Sequence, residues 1–332
     1  MKILVTGSAG HLGEGLVRTL RRRHQVIGLD ILSSGFTAEV GSITDRSVVH
    51  RAMRGVDAVI HTATLHKPHV VTHSRQAFVD VNVTGTLNLL EEAVAASVKA
   101  FVFISTTSAF GRALAPDAGE PAAWVTEDVT PMPKNIYCVT KLSAESLCEL
   151  FHWQSGLPSI VLRTSRFFPE DDDDAGKRAA HVGENLTAKE FLFRRVDVED
   201  AVSACACAIE RARRIGFGRY IVSATTPFTR ADLAGLRADA PAVLAQIAPD
   251  YAEEYTRRGW TMFPSIDRVY VNDRARADLG WTPKYDFFRV LEDLRADRPV
   301  GSELARAIGA KGYHATKYDD GLYPVDLPGE CA

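Results

Sequence analysis

Cysteine is scarce in this sequence, with five in 332 residues. Cys205 and Cys207 stand one residue apart and no CxxC pair exists. A disulfide framework is therefore excluded. Without a second Cys/His cluster, structural zinc is not expected either. Charge of one sign is also missing: the net charge is −3 with 24% charged residues. Such a chain has no global field to draw nucleic acid or an anionic membrane, so neither is an expected partner. No apolar run approaches the ~20 residues that span a bilayer. The start, MKILVTGSAG, runs from a strand into glycines without the apolar region of a signal peptide, and a cytoplasmic location is expected. What is present is a chain 46% hydrophobic. That is too apolar for disorder and long enough for a large core.

The first half alternates strand-like and helix-like segments. Ile3-Leu4-Val5 stops at Gly7, and Leu12, Leu16, Val17 and Leu20 follow at helical spacing. Residues 25–30 read as the second strand, and 57–61, 100–105 and 159–163 as further buried strands. Residues 45–53, 78–96 and 135–154 read as helices. That alternation predicts a parallel sheet covered on both faces. Beyond Arg163 the order is less regular. A helix capped by Asp197 is expected to reach Arg213, and Arg219–Val222 to be a late sheet strand. From Thr229 onward the chain reads as mainly helical, broken by Pro241, Pro249, Pro264 and Pro283. No internal repeat is found. The Gly-rich polar tail from Gly309 reads as a surface wrap or a partly disordered end. The acidic run Glu170–Asp174 reads as a solvated loop, because consecutive carboxylates point different ways.

Three motifs carry chemistry. Thr6-Gly7-Ser8-Ala9-Gly10-His11-Leu12-Gly13 lies between a strand and a helix, the context of a dinucleotide site. Gly7 permits the tight turn, Gly10 the approach of a pyrophosphate, and Gly13 close helix–sheet packing. The helix N-terminus offers N–H groups and a partial positive charge. Asp30, about twenty residues on, suits the ribose hydroxyls of NAD and would repel the 2′-phosphate of NADP, so NAD is the expected cofactor. Tyr137 and Lys141 share one helix face. The ammonium favours phenolate, lowering the phenol from about 10 toward a usable base. At the end of the preceding strand, Ser105 to Gly111 offers hydroxyls for a reacting oxygen.

Together these residues resemble the extended short-chain dehydrogenase/reductase superfamily, in its NAD-dependent epimerase/dehydratase branch. The matching segments are TGSAGHLG, Asp30, Asp57–Ala63, Asn82–Leu90, FVFISTTSAFG, Tyr137 with Lys141, Val198–Asp200 and Leu279–Pro283. They occur in the order the family has them. The resemblance implies an α/β fold, a doubly wound parallel Rossmann sheet with a smaller C-terminal substrate lobe. The NAD-binding domain would be 1–165, with elements from about 196–225 returning to it. The substrate lobe would be 166–195 and 226–308, and the tail 309–332. Tyr137 is implied as acid/base, Lys141 as the group holding the nicotinamide ribose and tuning Tyr137, and Thr106 as hydrogen-bond partner of the reacting oxygen. Gly7, Gly10, His11, Leu12, Gly13, Asp30, Ser42 and Ile43 would hold the cofactor, with His61, Thr62 and Ala63 along its cleft. Thr64, Thr106, Thr107, Ser108 and Arg166 would meet the substrate. A homodimer is also implied, through the helices carrying Asn82–Thr86 and Tyr137–Lys141.

Departures from the family pattern narrow the chemistry. The Asp-Glu pair of sugar 4,6-dehydratases is here Thr107-Ser108, which cannot exchange protons as carboxylates. Ser42 replaces an Asp near the adenine, and Cys138, read as a packing residue, replaces a Gly. Arg166 replaces an Asn; it suits a phosphate or carboxylate, or an acid of the 170–174 run. The 169–194 stretch is short for the family's nucleotide clamp. His66, His69 and His73 border the substrate mouth, and no metal is expected there. The expected function is an NAD-dependent epimerase acting on a sugar or nucleotide sugar. The alternatives are a net dehydrogenase or reductase of a smaller substrate and a non-catalytic NAD-binding regulatory protein.

Overall fold

The computed structural model describes residues 1–170 and 183–312. Strand β1 (Lys2–Thr6) enters helix α1 (His11–Leu20) through the glycine turn, and β2 (Gln25–Asp30) follows. Then come β3 (Glu39–Val40), α2 (Arg46–Ala52) and β4 (Ala58–His61). The next helix is continuous but uneven: α3 (Arg75–Phe78) passes through a π-helical turn, Val79–Thr84, into α4 (Gly85–Ala95). After β5 (Ala100–Thr106) and β6 (Ala123–Val125) come α5 (Ile136–Ser155) and β7 (Ser159–Thr164). Further along lie α6 (Gly183–Glu190), α7 (Val198–Ile215) and β8 (Phe217–Val222).

The main sheet has the order β3-β2-β1-β4-β5-β7-β8, and all its pairs are parallel. The chain therefore winds outward from β1 in both directions. The crevice where the order reverses lies at the C-terminal ends of β1 and β4. β1, β4, β5 and β7 are apolar on both faces, as a sheet covered on both sides requires. One core packs α1 and α7 against it, including Leu12, Leu16, Val102, Ile160 and Val202. The other packs α2, α4 and α5 on the opposite face through Val49, Leu89, Phe101 and Cys148. The expected doubly wound α/β sheet is what the chain forms.

The late helices are α8 (Leu233–Ala238), α9 (Ala240–Ile247), α10 (Tyr251–Arg258), α11 (Asp273–Leu279), α12 (Phe287–Arg295) and α13 (Glu303–Ile308). A third core, around Leu192, Phe228, Leu236, Leu244, Tyr255 and Phe287, gathers α8, α9, α10 and α12, whereas α11 and α13 pack on the core shared by α1 and α7. Pro241 does not break this region. It occupies the first turn of α9, where its missing N–H costs nothing. A short strand, β9 (Arg268–Tyr270), pairs in parallel with β6 and closes the lobe over the sheet's C-terminal edge. Trp281 is buried, and its indole N–H donates to the Asp200 carbonyl and the Ser203 hydroxyl, tying the lobe to α7. Among the described residues no helix is long and apolar enough to cross a membrane.

Candidate active site

A cavity of about 820 Å³ opens along the C-terminal edge of the sheet. At one end it is lined by Gly7, Gly10, His11, Leu12, Gly13, Asp30, Ser42 and Ile43. The glycine turn is built tightly. Gly7 has φ +70°, and a Cβ there would lie 2.6 Å from the Thr62 hydroxyl and 2.7 Å from the Ala63 nitrogen. A Cβ on Gly13 would sit 1.9 Å from the Gly7 carbonyl oxygen. Asp30 accepts the Ala9 N–H at 2.9 Å on one oxygen and the Leu32 N–H at 2.9 Å on the other. Its carboxylate thus pins the turn from the end of β2.

The middle of the cavity is lined by Thr62, Ala63, Thr64, Thr106, Thr107, Ser108, Tyr137 and Lys141. Thr106 ends β5 and its hydroxyl accepts the Ser108 N–H at 3.1 Å, which turns the chain at the cavity wall. Thr107 is buried and leans on the Thr164 carbonyl at 3.4 Å. Asn135 caps α5 by accepting the Cys138 N–H, so Tyr137 and Lys141 lie in the first two turns. Cys138 is buried with its thiol directed to the Ser108 carbonyl at 3.1 Å, as a packing residue would be. Lys141 donates to the Ile104 carbonyl at 2.6 Å and its ammonium lies 4.1 Å from the centre of the Phe103 ring.

Electrostatics here depart from expectation. Burial raises the Tyr137 phenol well above its ordinary range, with a hydrogen bond to Thr106 acting the other way. The lysine alone does not sharpen it. Burial pulls Lys141 down to about 7, and Glu145 opposes that fall. His61 also departs: it does not line the cavity. It sits 1% exposed in the core, its ring nitrogens 2.8 Å from the Thr6 hydroxyl and 3.0 Å from that of Thr86. Its position at the end of a strand covered on both faces sends it inward while Thr62 and Ala63 take the wall.

The cavity is lined further by Arg166, Phe167, Phe168, Arg194, Arg268, Tyr270 and Lys311. Of these the sequence points only to Arg166. Its guanidinium bonds the Glu170 carbonyl, stacks 4.8 Å from the Phe168 ring and lies 3.7 Å from Glu190. Glu190 is buried and also takes Arg194 at 2.5 Å and Arg195 at 2.7 Å. Glu170 is not a solvated loop acid. Its carboxylate lies 2.7 Å from His11 Nε2 and accepts the Lys311 and Gly312 N–H groups at 2.9 and 3.2 Å. Lys311 Nζ reaches Glu14 at 2.6 Å. The first residues of the tail therefore wrap over the start of α1. Asp171–Asp174 and residues 313–332 lie outside the described residues. His66, His69 and His73 also line the cavity. No group of metal-binding side chains occurs among the described residues.

A model of the NAD dependent epimerase/dehydratase family matches residues 3–222. The chain belongs to that family. The dTDP-glucose 4,6-dehydratase of Streptomyces antibioticus is 29% identical over 321 residues, covering 86% of this chain and 89% of that protein. The UDP-glucose 4-epimerase of Rhizobium meliloti is 28% identical, covering 87% and 94%. Two other relatives, 31% and 30% identical, are matched over only 39% and 55% of their own length. A short-chain dehydrogenase/reductase superfamily protein of Agrobacterium tumefaciens, solved with bound NAD, shares the fold. Its TM-score is 0.63 at 23% identity, over 92% of this chain and 97% of that one.

For a member of this family the cradle suits a dinucleotide on its own geometry. A Cβ on Gly7 or Gly13 would strike the neighbouring protein backbone, so only glycine lets the turn run this tightly, and Gly10, His11, Leu12 and Gly13 open α1 at the cavity wall. Asp30 ends β2, the strand next to β1 on one side of the switch point, where it can meet a ribose.

Proposed function

We propose that this protein is an NAD-dependent epimerase of a sugar, specifically a nucleotide sugar, acting by transient oxidation of a carbinol carbon. What carries the proposal is the convergence of Thr106, Tyr137 and Lys141 on one cavity wall whose neighbours, Thr107 and Ser108, carry no carboxylate. Among the described lining residues Asp30 is the only acid, and it belongs to the cofactor end. A dehydratase needs proton-moving carboxylates beside the reacting carbon; an epimerase does not.

Gly7, Gly10 and the amides of His11, Leu12 and Gly13 would hold the pyrophosphate of NAD, with Asp30 on the ribose and Ser42 and Ile43 at the adenine. Thr62, Ala63 and Lys141 would border the nicotinamide half. Bound there, NAD supplies a reversible hydride acceptor. Tyr137 takes the proton of the substrate hydroxyl and later returns it, so it needs its phenolate form. Two positive charges would favour that form against burial: the Lys141 ammonium and, with cofactor bound, the pyridinium of an oxidised nicotinamide. Thr106 hydrogen-bonds the same oxygen. Thr64, Thr107 and Ser108 would border the sugar, and Arg166 would meet an anionic group of the substrate. The outer faces of α4 and α5 would meet a second copy in a homodimer.

Tyr137→Phe should lose at least ~10²-fold in turnover, the scale of a general acid–base contribution, while still binding NAD. Undiminished turnover in that variant removes the mechanism. Product formed without net absorbance change at 340 nm supports epimerisation, and a net change supports a dehydrogenase instead.

A further inference from the structure

We propose that Glu145 is a positioning residue for this reaction: one helical turn beyond Lys141, it keeps the ammonium charged, and through Ser105 it fixes the strand end that carries Thr106. The role rests on the function proposed above, since it acts through Lys141 and Thr106.

Tyr137, Lys141 and Glu145 recur every four residues on α5, so they stack along one face. All three are buried, at 6%, 2% and 1% exposure. The Glu145 carboxylate receives the Ser105 hydroxyl at 2.5 Å and the Arg163 guanidinium at 3.1 and 2.7 Å. Arg219 approaches it at 3.4 Å. Ser105 immediately precedes Thr106 on β5, so the first of these bonds anchors the backbone from which Thr106 projects. Lys141, by contrast, has no carboxylate within 4 Å among the described residues. Its ammonium rests on a neutral carbonyl and an aromatic face.

The other titratable neighbours of Lys141 do not supply a negative charge. On its own helix burial keeps the Tyr137 phenol and the Cys148 thiol protonated. From β4 and the loop after it, burial keeps His61 and His66 neutral. Arg163 of β7 and Arg219 of β8 are cations, and both face the Glu145 carboxylate. Glu145 is thus the anion that counters the desolvation of Lys141. Because the lysine titrates near 7, loss of that anion would change its charged fraction several-fold at neutral pH.

The test follows Lys141 directly, with no substrate needed. The full chain is labelled with ¹³C at lysine Cε, the Lys141 signal is assigned with Lys141→Arg, and its titration is read by NMR. Glu145→Gln should lower the midpoint by about one pH unit or more, the scale of a lost opposite charge at close range. The alkaline limb of kcat should move down by the same amount with its acid limb in place. Glu149→Gln, which removes an outer partner of Arg219, should move neither. Should Glu145→Gln fail to fold, Glu145→Gln/Arg163→Met removes both buried charges and should shift the midpoint in the same direction. An unmoved midpoint in a folded variant, or a kcat lowered equally at every pH, overturns the role. If Tyr137→Phe is inactive while the midpoint stays put, only the positioning role falls. If Tyr137→Phe is fully active, the underlying mechanism falls and takes this role with it.

Discussion

Burial governs the reactive side chains here, and it works against both of them. It favours a neutral phenol at Tyr137 and a neutral amine at Lys141. The lysine's cost has a measurable sign. Its folded value is about 7 against an unfolded 10.5, so between those values the unfolded chain binds more protons than the folded one. Stability should therefore rise with pH through that window. Lys141→Met should flatten the rise, as urea denaturation at neutral and alkaline pH would reveal. At the glycine turn the constraint is steric. Gly13→Ala drives a methyl into the Gly7 carbonyl, and we expect a loss of about 1–3 kcal/mol, the scale of overpacking, read as a lowered Tm. The same variant should weaken NAD binding in a calorimetric titration, because the turn must move.

Elements that meet the site from distant parts of the chain are the hardest to foresee. β1, β4, β5 and β7 are legible as buried runs, and β2 and β8 from the shorter apolar stretch inside each. β3, β6 and β9, of two or three residues, are too short to show a period. The glycine turn is legible because it lies between a strand and a helix, and the Tyr137/Lys141 spacing only because of where it falls after that half of the chain. Arg194, Arg268, Tyr270 and Lys311 are not, since only the folded lobe brings them to the wall. His61 escapes a sequence reading because a strand end gives no sign of which face it buries. The segment at Lys311–Gly312 offers a direct measurement. Burial pushes the Glu170 carboxyl up, but hydrogen bonding from His11 and the Lys311 amide outweighs it and holds it down to about 2. The clasp is therefore intact above about pH 4.5 and weakens as pH falls toward 2. Lys311→Ala removes the charged contact with Glu14 and should speed NAD release about tenfold, the equivalent of one charge-assisted hydrogen bond. A stopped-flow displacement experiment reads that rate, and an unchanged rate would show the clasp to be irrelevant to retention.

For the molecule as a whole, the outer surface of α5 stands out. Val139, Leu150 and Trp153 are 45%, 44% and 75% exposed, and Val94, near the C-terminal end of α4, is exposed as well. If α4 and α5 pack on a second copy, Trp153→Asp should shift the particle to monomer mass in light scattering with its helix content intact. A wild-type protein already monomeric at micromolar concentration would remove the proposed homodimer. The cavity itself runs from Gly7 to Gly312 in sequence, and the Glu14–Lys311 contact closes a loop of 297 residues. On the ribosome the glycine turn emerges well ahead of the Lys311 segment that meets it. A nascent chain can therefore shape that turn while the opposite wall of the cavity has still to be made.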